Sequence, residues 1–435
     1  MNKIDLAVST QQAAPLSAHL SLNIRGLKPS VTLAINEHSA QLQKAGKEIY
    51  RLGLGQSPFP VPAAVVKALQ ANAHQKDYLP VKGLAQLREV VAAYHARVNG
   101  ITRTADDVII GPGSKELMFI LQLVYYGDLV IPAPSWVSYA PQASIIGRQV
   151  RWIETMSENG WRLQPEELEK LCHQDPTRPR LLILNYPNNP VGVTYTTDQL
   201  QGLAEIARRY GIIVLSDEIY GELHYSGQHD SIANYYPEGT IVSSGLSKWA
   251  GAGGWRLGTF LFPSELRWLL DGMAVVASET YTTTSAPIQY AAIRAYEGGE
   301  EIDIYLRNSR RILRALGSAL AGRLRSAGCE APDPEGGFYL FVDFSSHDKH
   351  LKEKGILGAY PLCERLLHDT GVAALPGSEF GRPAGELTVR FAYVDFDGAK
   401  ALEAAAQTDE LDELFLKECC NRVMVAADKI VSWLG

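Results

Sequence analysis

The sequence predicts an α/β protein: a large domain on a mostly parallel sheet with helices on both faces, joined to a smaller α+β domain from the chain ends. Three observations predict it. Short apolar runs, LLIL (181–184), IIVL (212–215) and TIVSS (240–244), alternate with segments of helical period, the cadence of right-handed βαβ units. The runs end in polar residues and loops, where open α/β sheets carry their chemistry. From about Ala295 the pattern changes to longer charged helices, followed by the alternating strand GGFYLFVDF. The expected boundaries are 59–294 for the large domain, and 1–58 with 295–435 for an N-terminal arm and the small domain.

A chain of 435 residues has room for a large core and two domains. Its formal net charge of −7, with the signs mixed, argues against nucleic acid as a main partner. No apolar window reaches the length needed to span a bilayer. Residues 1–20 lack the apolar core and cleavage site of a secretory signal and read as a loose arm. The five cysteines are scattered without a C-x-x-C pair, and the ten histidines show no metal-ligand spacing. Neither a disulfide framework nor a metal is expected, and a reducing cytoplasm fits best.

In chain order, Ser30–Gly46 has apolar residues at helical spacing and stops on glycine, which predicts a helix. The glycine- and proline-rich stretch YRLGLGQSPFPVP (50–62) reads as an exposed turn. Residues 62–74 form a helix opened by Pro62. DYLPVKGLAQLREVVAAYHARV (77–98) is a turn and an amphipathic helix. DVIIGPGSKELMF (107–119) is a strand, a glycine turn and a helix start. There Gly113, Ser114 and Lys115 offer backbone N–H groups and a helix dipole to a phosphate. LVIPAPSWVSYA (129–140) is a strand that presents Trp136 at its end. LLIL ends in Asn185 and a proline-broken loop holding Asn189. A helix over 198–210 leads into the strand that ends at Asp217. FLFP (260–263) reads as a further strand, ETYTTTSAPIQYAAIRAY (279–296) as the opening of a long helix, and 409–433 as one last helix. Arg390 lies mid-strand among apolar residues, an expensive position for a charge without a partner.

The stretch SSGLSKWAGAGGWRLG (243–258) organises the rest. Lys248 follows a strand and precedes a glycine-rich loop, and Arg256 follows eight residues on. Asp217 stands thirty-one residues upstream at another strand end, with Tyr220 three residues later. These are the parts that hold pyridoxal phosphate. A lysine amine forms a Schiff base with its aldehyde. A carboxylate, Asp217, keeps the ring nitrogen protonated. Tyr220 can hydrogen-bond the ring hydroxyl, and the planar fork of Arg256 suits the phosphate dianion.

The segments NYPNNPVG, SDEIYGEL and SGLSKWAGAGGWRLG resemble those of class I aminotransferases, in the fold-type-I group of pyridoxal-phosphate enzymes. The resemblance runs from about Leu52 to about Tyr393. It implies the fold-type-I architecture and transfer of an α-amino group between an amino acid and a 2-oxo acid, with Lys248 as Schiff-base lysine and general base. It also implies that the Gly55 backbone, Asn189 and Arg390 hold the substrate carboxylate, and that Asn189 donates to the cofactor ring hydroxyl. Trp136 would stack on the cofactor ring, while Ser114, Ser247 and Arg256 hold its phosphate. Tyr78, in the family's Tyr-x-P-x-x-G stretch, would reach the phosphate of a neighbouring subunit, which implies a homodimer. The chain departs from the family pattern at Gln56-Ser57-Pro58, at Val191 where threonine is usual, and at Gly245 where many relatives have serine; Ser244 or Ser247 would then serve the phosphate. No second arginine for an acidic substrate side chain stands out, whereas Trp136, Tyr139 and the aromatic strand 338–341 suggest an apolar pocket.

The sequence leaves two other readings open. A carbon–sulfur lyase would share the cofactor residues and differ only in which bond breaks next. A cofactor-sensing transcription factor needs a DNA-binding module, and the segment before Gly55 shows no basic helix-turn-helix pattern.

Overall fold

The structure, a computed structural model, describes residues 21–27 and 31–435. The expected arm over 1–20 and the helix start at Ser30 lie outside them. The strands in chain order are β1 (Tyr50–Arg51), β2 (Val108–Gly111), β3 (Asp128–Ala133), β4 (Val150–Glu154), β5 (Arg180–Asn185), β6 (Ile213–Asp217), β7 (Thr240–Gly245), β8 (Gly258–Leu261), β9 (Tyr339–Asp343), β10 (Val372–Ala373), β11 (Leu375–Pro376) and β12 (Thr388–Ala392).

Strands β2 to β8 form a seven-stranded sheet in the order β2-β8-β7-β6-β5-β3-β4. Only β8 runs antiparallel to its neighbours. The strand runs are continuously apolar because helices cover both faces. Side chains alternate across the sheet. Leu181, Ile183 and Leu215 pack with Leu117 and Leu121 of the helix Ser114–Val124 and with Leu269 and Met273 of Arg267–Glu279. Leu182, Leu184 and Val214 pack on the other face with Leu168 and with Leu200 and Leu203 of Thr197–Arg209. Burying each such side chain contributes about 1.5–3 kcal/mol. The helix Thr197–Arg209 starts on a reciprocal cap: the Thr196 hydroxyl accepts from the Gln199 N–H at 3.3 Å, and the Gln199 side chain accepts from the Thr196 N–H at 3.0 Å.

A second, three-stranded sheet runs β11-β12-β9, all antiparallel. The long helix Glu300–Ser326 and the helix Asn421–Leu434 share its core through Leu316, Leu320, Val423 and Ile430. The parallel pair β1-β10 ties residues 50–51 to this part of the chain.

Three expectations change. The stretch 50–62 is not an exposed turn: Leu52, Gly53, Ser57 and Phe59 are buried. Its glycines and prolines let it thread against β12, where the Ala392 N–H donates to the Leu52 carbonyl at 2.7 Å. The helix expected to open at 279 starts only at Ala286. The last helix is two, Glu413–Cys419 and Asn421–Leu434. The chain turns at Cys420 (φ −124°, ψ 21°), so that Phe415, Leu416, Val423 and Met424 all reach one core. Among the described residues no helix is long and apolar enough to cross a membrane.

Candidate active site

Parallel strands β5, β6 and β7 end side by side, with Asn185 opposite Asp217 and Asp217 opposite Ser243. Their carboxyl ends open into a cavity of about 380 Å³. It gathers Ser114, Lys115, Trp136, Asn189, Asp217, Tyr220, Ser247, Lys248 and Arg256, which the sequence singled out from five separate segments. Gly55 and Arg390 adjoin it through hydrogen bonds to lining residues. Tyr78 does not line it and is 88% exposed.

Asp217 is buried at the end of β6. The Tyr139 hydroxyl donates to it at 2.5 Å and the Ser243 hydroxyl at 3.3 Å. Burial outweighs these donors and raises its pKa from 3.8 to about 6. Such a carboxylate gains from a cationic partner, which a protonated ring nitrogen supplies. Lys248 is half-buried, and its Nζ donates to the Gly55 carbonyl at 2.7 Å. Burial first, then the charge of Arg390, lower its pKa from 10.5 to about 8. Its amine is therefore neutral far more often near neutral pH than a free lysine's, as a nucleophile or base requires.

The anion cradle sits at the start of the helix Ser114–Val124. The N-cap is Gly113, which has no side chain to cap the helix, and its first two residues, Ser114 and Lys115, line the cavity. Two glycines make room for it. A Cβ on Gly113 (φ +90°) would lie 2.0 Å from Arg256 Nη2, and one on Gly258 would lie 2.1 Å from the Ser114 nitrogen. The Arg256 guanidinium is exposed and held by the Gly253 carbonyl at 2.9 Å. The Lys115 ammonium lies 5.1 Å from the Trp136 ring centre, its pKa lowered by burial and then by Arg256. Cradle, carboxylate, amine and flat aromatic wall together fit a planar phosphorylated ring carrying an aldehyde and a basic nitrogen.

Arg390 completes the site from β12. It is 3% exposed. Nη1 donates to Asn189 Oδ1 at 3.3 Å and Nη2 to the Gly53 carbonyl, while Nε has no partner. Among the described residues no carboxylate pairs with it. A desolvated cation without a counter-ion is a place prepared for an anion.

The roles of several residues went unread in the sequence. Asn185 lines the cavity, donates to the Asp217 backbone carbonyl at 2.8 Å and accepts from the Asn189 N–H at 2.8 Å. Its position at a strand end was the available signal. Tyr139 is not an apolar pocket wall, since its hydroxyl is committed to Asp217. Tyr339, within the alternating aromatic strand, is hydrogen-bonded to Tyr220 at 2.8 Å. The glycine at 245 has a steric reason: a Cβ there would lie 2.7 Å from the Leu257 carbonyl oxygen. Of the two serines considered for the phosphate, Ser247 lines the cavity, whereas Ser244 lines a separate small one with Glu218 and His229.

Residues 47–406 match the family model of aminotransferase class I and II. The chain is 32% identical over 399 residues to an aspartate aminotransferase of Geobacillus stearothermophilus, covering 89% of this chain and 97% of that protein. It is 33% identical over 393 residues to a probable aspartate/prephenate aminotransferase of Thermus aquaticus, covering 89% and 98%. The solved aspartate aminotransferase of Thermus thermophilus with maleate superposes with a TM-score of 0.79 at 30% identity, over 90% of this chain and 100% of that one. With this sheet, this cavity and these relatives, the chain belongs to the class I and II aminotransferases, fold-type-I enzymes that move amino groups with pyridoxal 5′-phosphate.

Proposed function

We propose that this cavity transfers the α-amino group of an acidic amino acid, aspartate first among those to test, to a 2-oxo acid. The observation that carries the reading is Arg390: buried, unpaired with any described carboxylate, and joined through Asn189 to the cavity that holds Lys248. The acidic donor is supported by the names of the relatives, an aspartate aminotransferase and a probable aspartate/prephenate aminotransferase.

In this reading Arg390 and Asn189 grip the substrate α-carboxylate, with the Gly55 backbone beside them. That grip sets the Cα–H bond on the side of Lys248, whose Nζ takes the proton from Cα. Asp217, steadied by Tyr139 and Ser243, holds the proton on the ring nitrogen. Ser114, Ser247, Arg256 and the helix N-terminus hold the phosphate, with Lys115 adding positive charge to that wall. Trp136 covers the ring face and Tyr220 tunes the ring hydroxyl. The bound cofactor supplies the electron sink that takes up the pair left when the Cα–H bond breaks.

The same reading divides the chain into 59–294, and 1–58 with 295–435, since the large sheet falls within 108–261 and the small one within 339–392. It includes a homodimer in which Tyr78 reaches the neighbouring phosphate, supported by that residue's exposure outside its own cavity. It also includes a cytoplasmic location, supported by five free, buried thiols.

The test adds single amino acids to the cofactor-loaded enzyme without any oxo acid. Stoichiometric release of one oxo acid, with loss of the visible band and the cofactor left in its amine form, is expected with aspartate. Continued turnover to oxo acid and ammonia would instead make the protein a lyase, which no observation here favours.

A further inference from the structure

The roles above leave Tyr339 without one, yet it touches three of their bearers. Along the β9–β12 pair Tyr339 lies opposite Ala392 and Phe341 opposite Arg390, so 339, 341, 390 and 392 share one face of the small sheet. Tyr339 is 1% exposed. Its ring centre lies 4.8 Å from the Arg390 guanidinium carbon. Its hydroxyl is 2.8 Å from that of Tyr220, and the two rings meet edge to face at 5.5 Å. A Cβ on Gly55 would lie 2.0 Å from the same hydroxyl, and the Gly55 carbonyl is the one that receives the Lys248 ammonium.

Arg390 is held by little else. Its hydrogen bonds go to Asn189 and Gly53, Nε has none, and among the described residues the only other close neighbour with an aromatic face is Phe380, at 5.1 Å. A guanidinium over an aromatic face is drawn to the ring quadrupole, and more strongly once desolvated. The orientation of the Tyr339 ring thus sets the plane of the Arg390 fork. At the other end of the same side chain, the hydroxyl pair fixes how the Tyr220 phenol can turn and which lone pair or proton it has left to offer.

We propose that Tyr339 is a positioning residue for transamination, whose ring aligns the Arg390 fork for the substrate carboxylate and whose hydroxyl orients Tyr220 toward the cofactor. Carboxylate binding and cofactor tuning are then coupled through one side chain. This rests on the reading of Arg390 as the carboxylate clamp and of Tyr220 as a cofactor contact.

The test uses the cofactor-loaded enzyme and two readouts: the dissociation constant of succinate, a dicarboxylate that cannot react, and the pH midpoint of the visible absorption band. Tyr339→Leu removes the ring, and its succinate constant is expected to rise about tenfold. Tyr339→Phe keeps the ring, so its succinate constant stays within about twofold, while its spectral midpoint moves by about half a pH unit or more. Combined with Tyr220→Phe, the midpoint shifts should not add, because both variants remove the same hydroxyl pair. Arg390→Gln separates the two readings. If it loses succinate affinity and Tyr339→Leu does not, this inference falls alone. If Arg390→Gln binds succinate like the parent, the clamp falls and this inference with it. Should Tyr339→Leu fail to fold, Tyr339→Phe decides: an unmoved midpoint overturns the proposal.

Discussion

The Nζ of Lys248 donates a 2.7 Å hydrogen bond to the carbonyl of Gly55, 193 residues earlier in the chain. The bond holds the amine over the cavity. Lys248→Ala should therefore show no visible band with the cofactor and lose transamination by roughly 10⁴-fold or more. Because burial holds the pKa of the amine down to about 8, the rate at which cofactor-free enzyme captures pyridoxal 5′-phosphate should rise with pH and level off above about pH 8. A stopped-flow trace of the band across pH 6–10 checks this; a rate still climbing steeply at pH 10 would contradict it.

Asp217 costs the cofactor-free protein stability. Its folded pKa, about 6, lies above its usual 3.8, so between these values the folded state binds more protons than the unfolded one. The stability present below pH 4 is lost as pH rises through 6. Asp217→Asn should stabilise the cofactor-free protein at pH 7.5 by roughly 1–3 kcal/mol, with the gain vanishing near pH 4. The cofactor-loaded variant should lose activity by about 10³-fold or more, since the ring nitrogen loses its counter-charge. Denaturant unfolding at the two pH values, with and without cofactor, checks both signs.

Arg390→Gln should raise KM for the amino acid by about 100-fold while lowering kcat less, as expected when a buried charge partner of a bound carboxylate is removed. Steady-state kinetics with aspartate measure the split. A drop confined to kcat would place the arginine elsewhere in the cycle.

Gly113→Ala tests the cradle. Its backbone has φ +90° and its Cβ would strike the Arg256 guanidinium. The variant should bind pyridoxal 5′-phosphate at least about tenfold more weakly and retain its fold, measured by equilibrium dialysis and circular dichroism.

Tyr78→Phe should weaken cofactor binding only if the residue reaches a second subunit. Sedimentation should give a dimer. Mixing Tyr78→Phe with Lys248→Ala subunits should then yield hybrids in which one site lacks both groups and the other is intact, restoring measurable activity.

The strands of the large sheet and the residues at their ends were legible in the sequence because both are local signals. LLIL, IIVL and TIVSS announce buried strands by composition, and the glycines, prolines and asparagines after them announce turns. Lys248, Asp217 and Asn189 could thus be set at the carboxyl ends of β7, β6 and β5. The stretch 50–62 was misread for the same reason: its glycines and prolines signal a turn locally, while its burial comes from β12 and from Phe59 packing against Tyr305 and Phe396.

The sequence by itself determined the fold class, the cofactor and most of the side chains that line the cavity, since strand periodicity, turn chemistry and residue type are written within a few neighbouring positions. Only the tertiary structure decided how those side chains are tuned. Tyr139 reaches Asp217 across 78 residues, Tyr339 reaches Tyr220 across 119, and Arg390 reaches Gly53 across 337. Desolvation, which moves Asp217 up and Lys248 down, belongs to the packed core as a whole and to no segment of the chain.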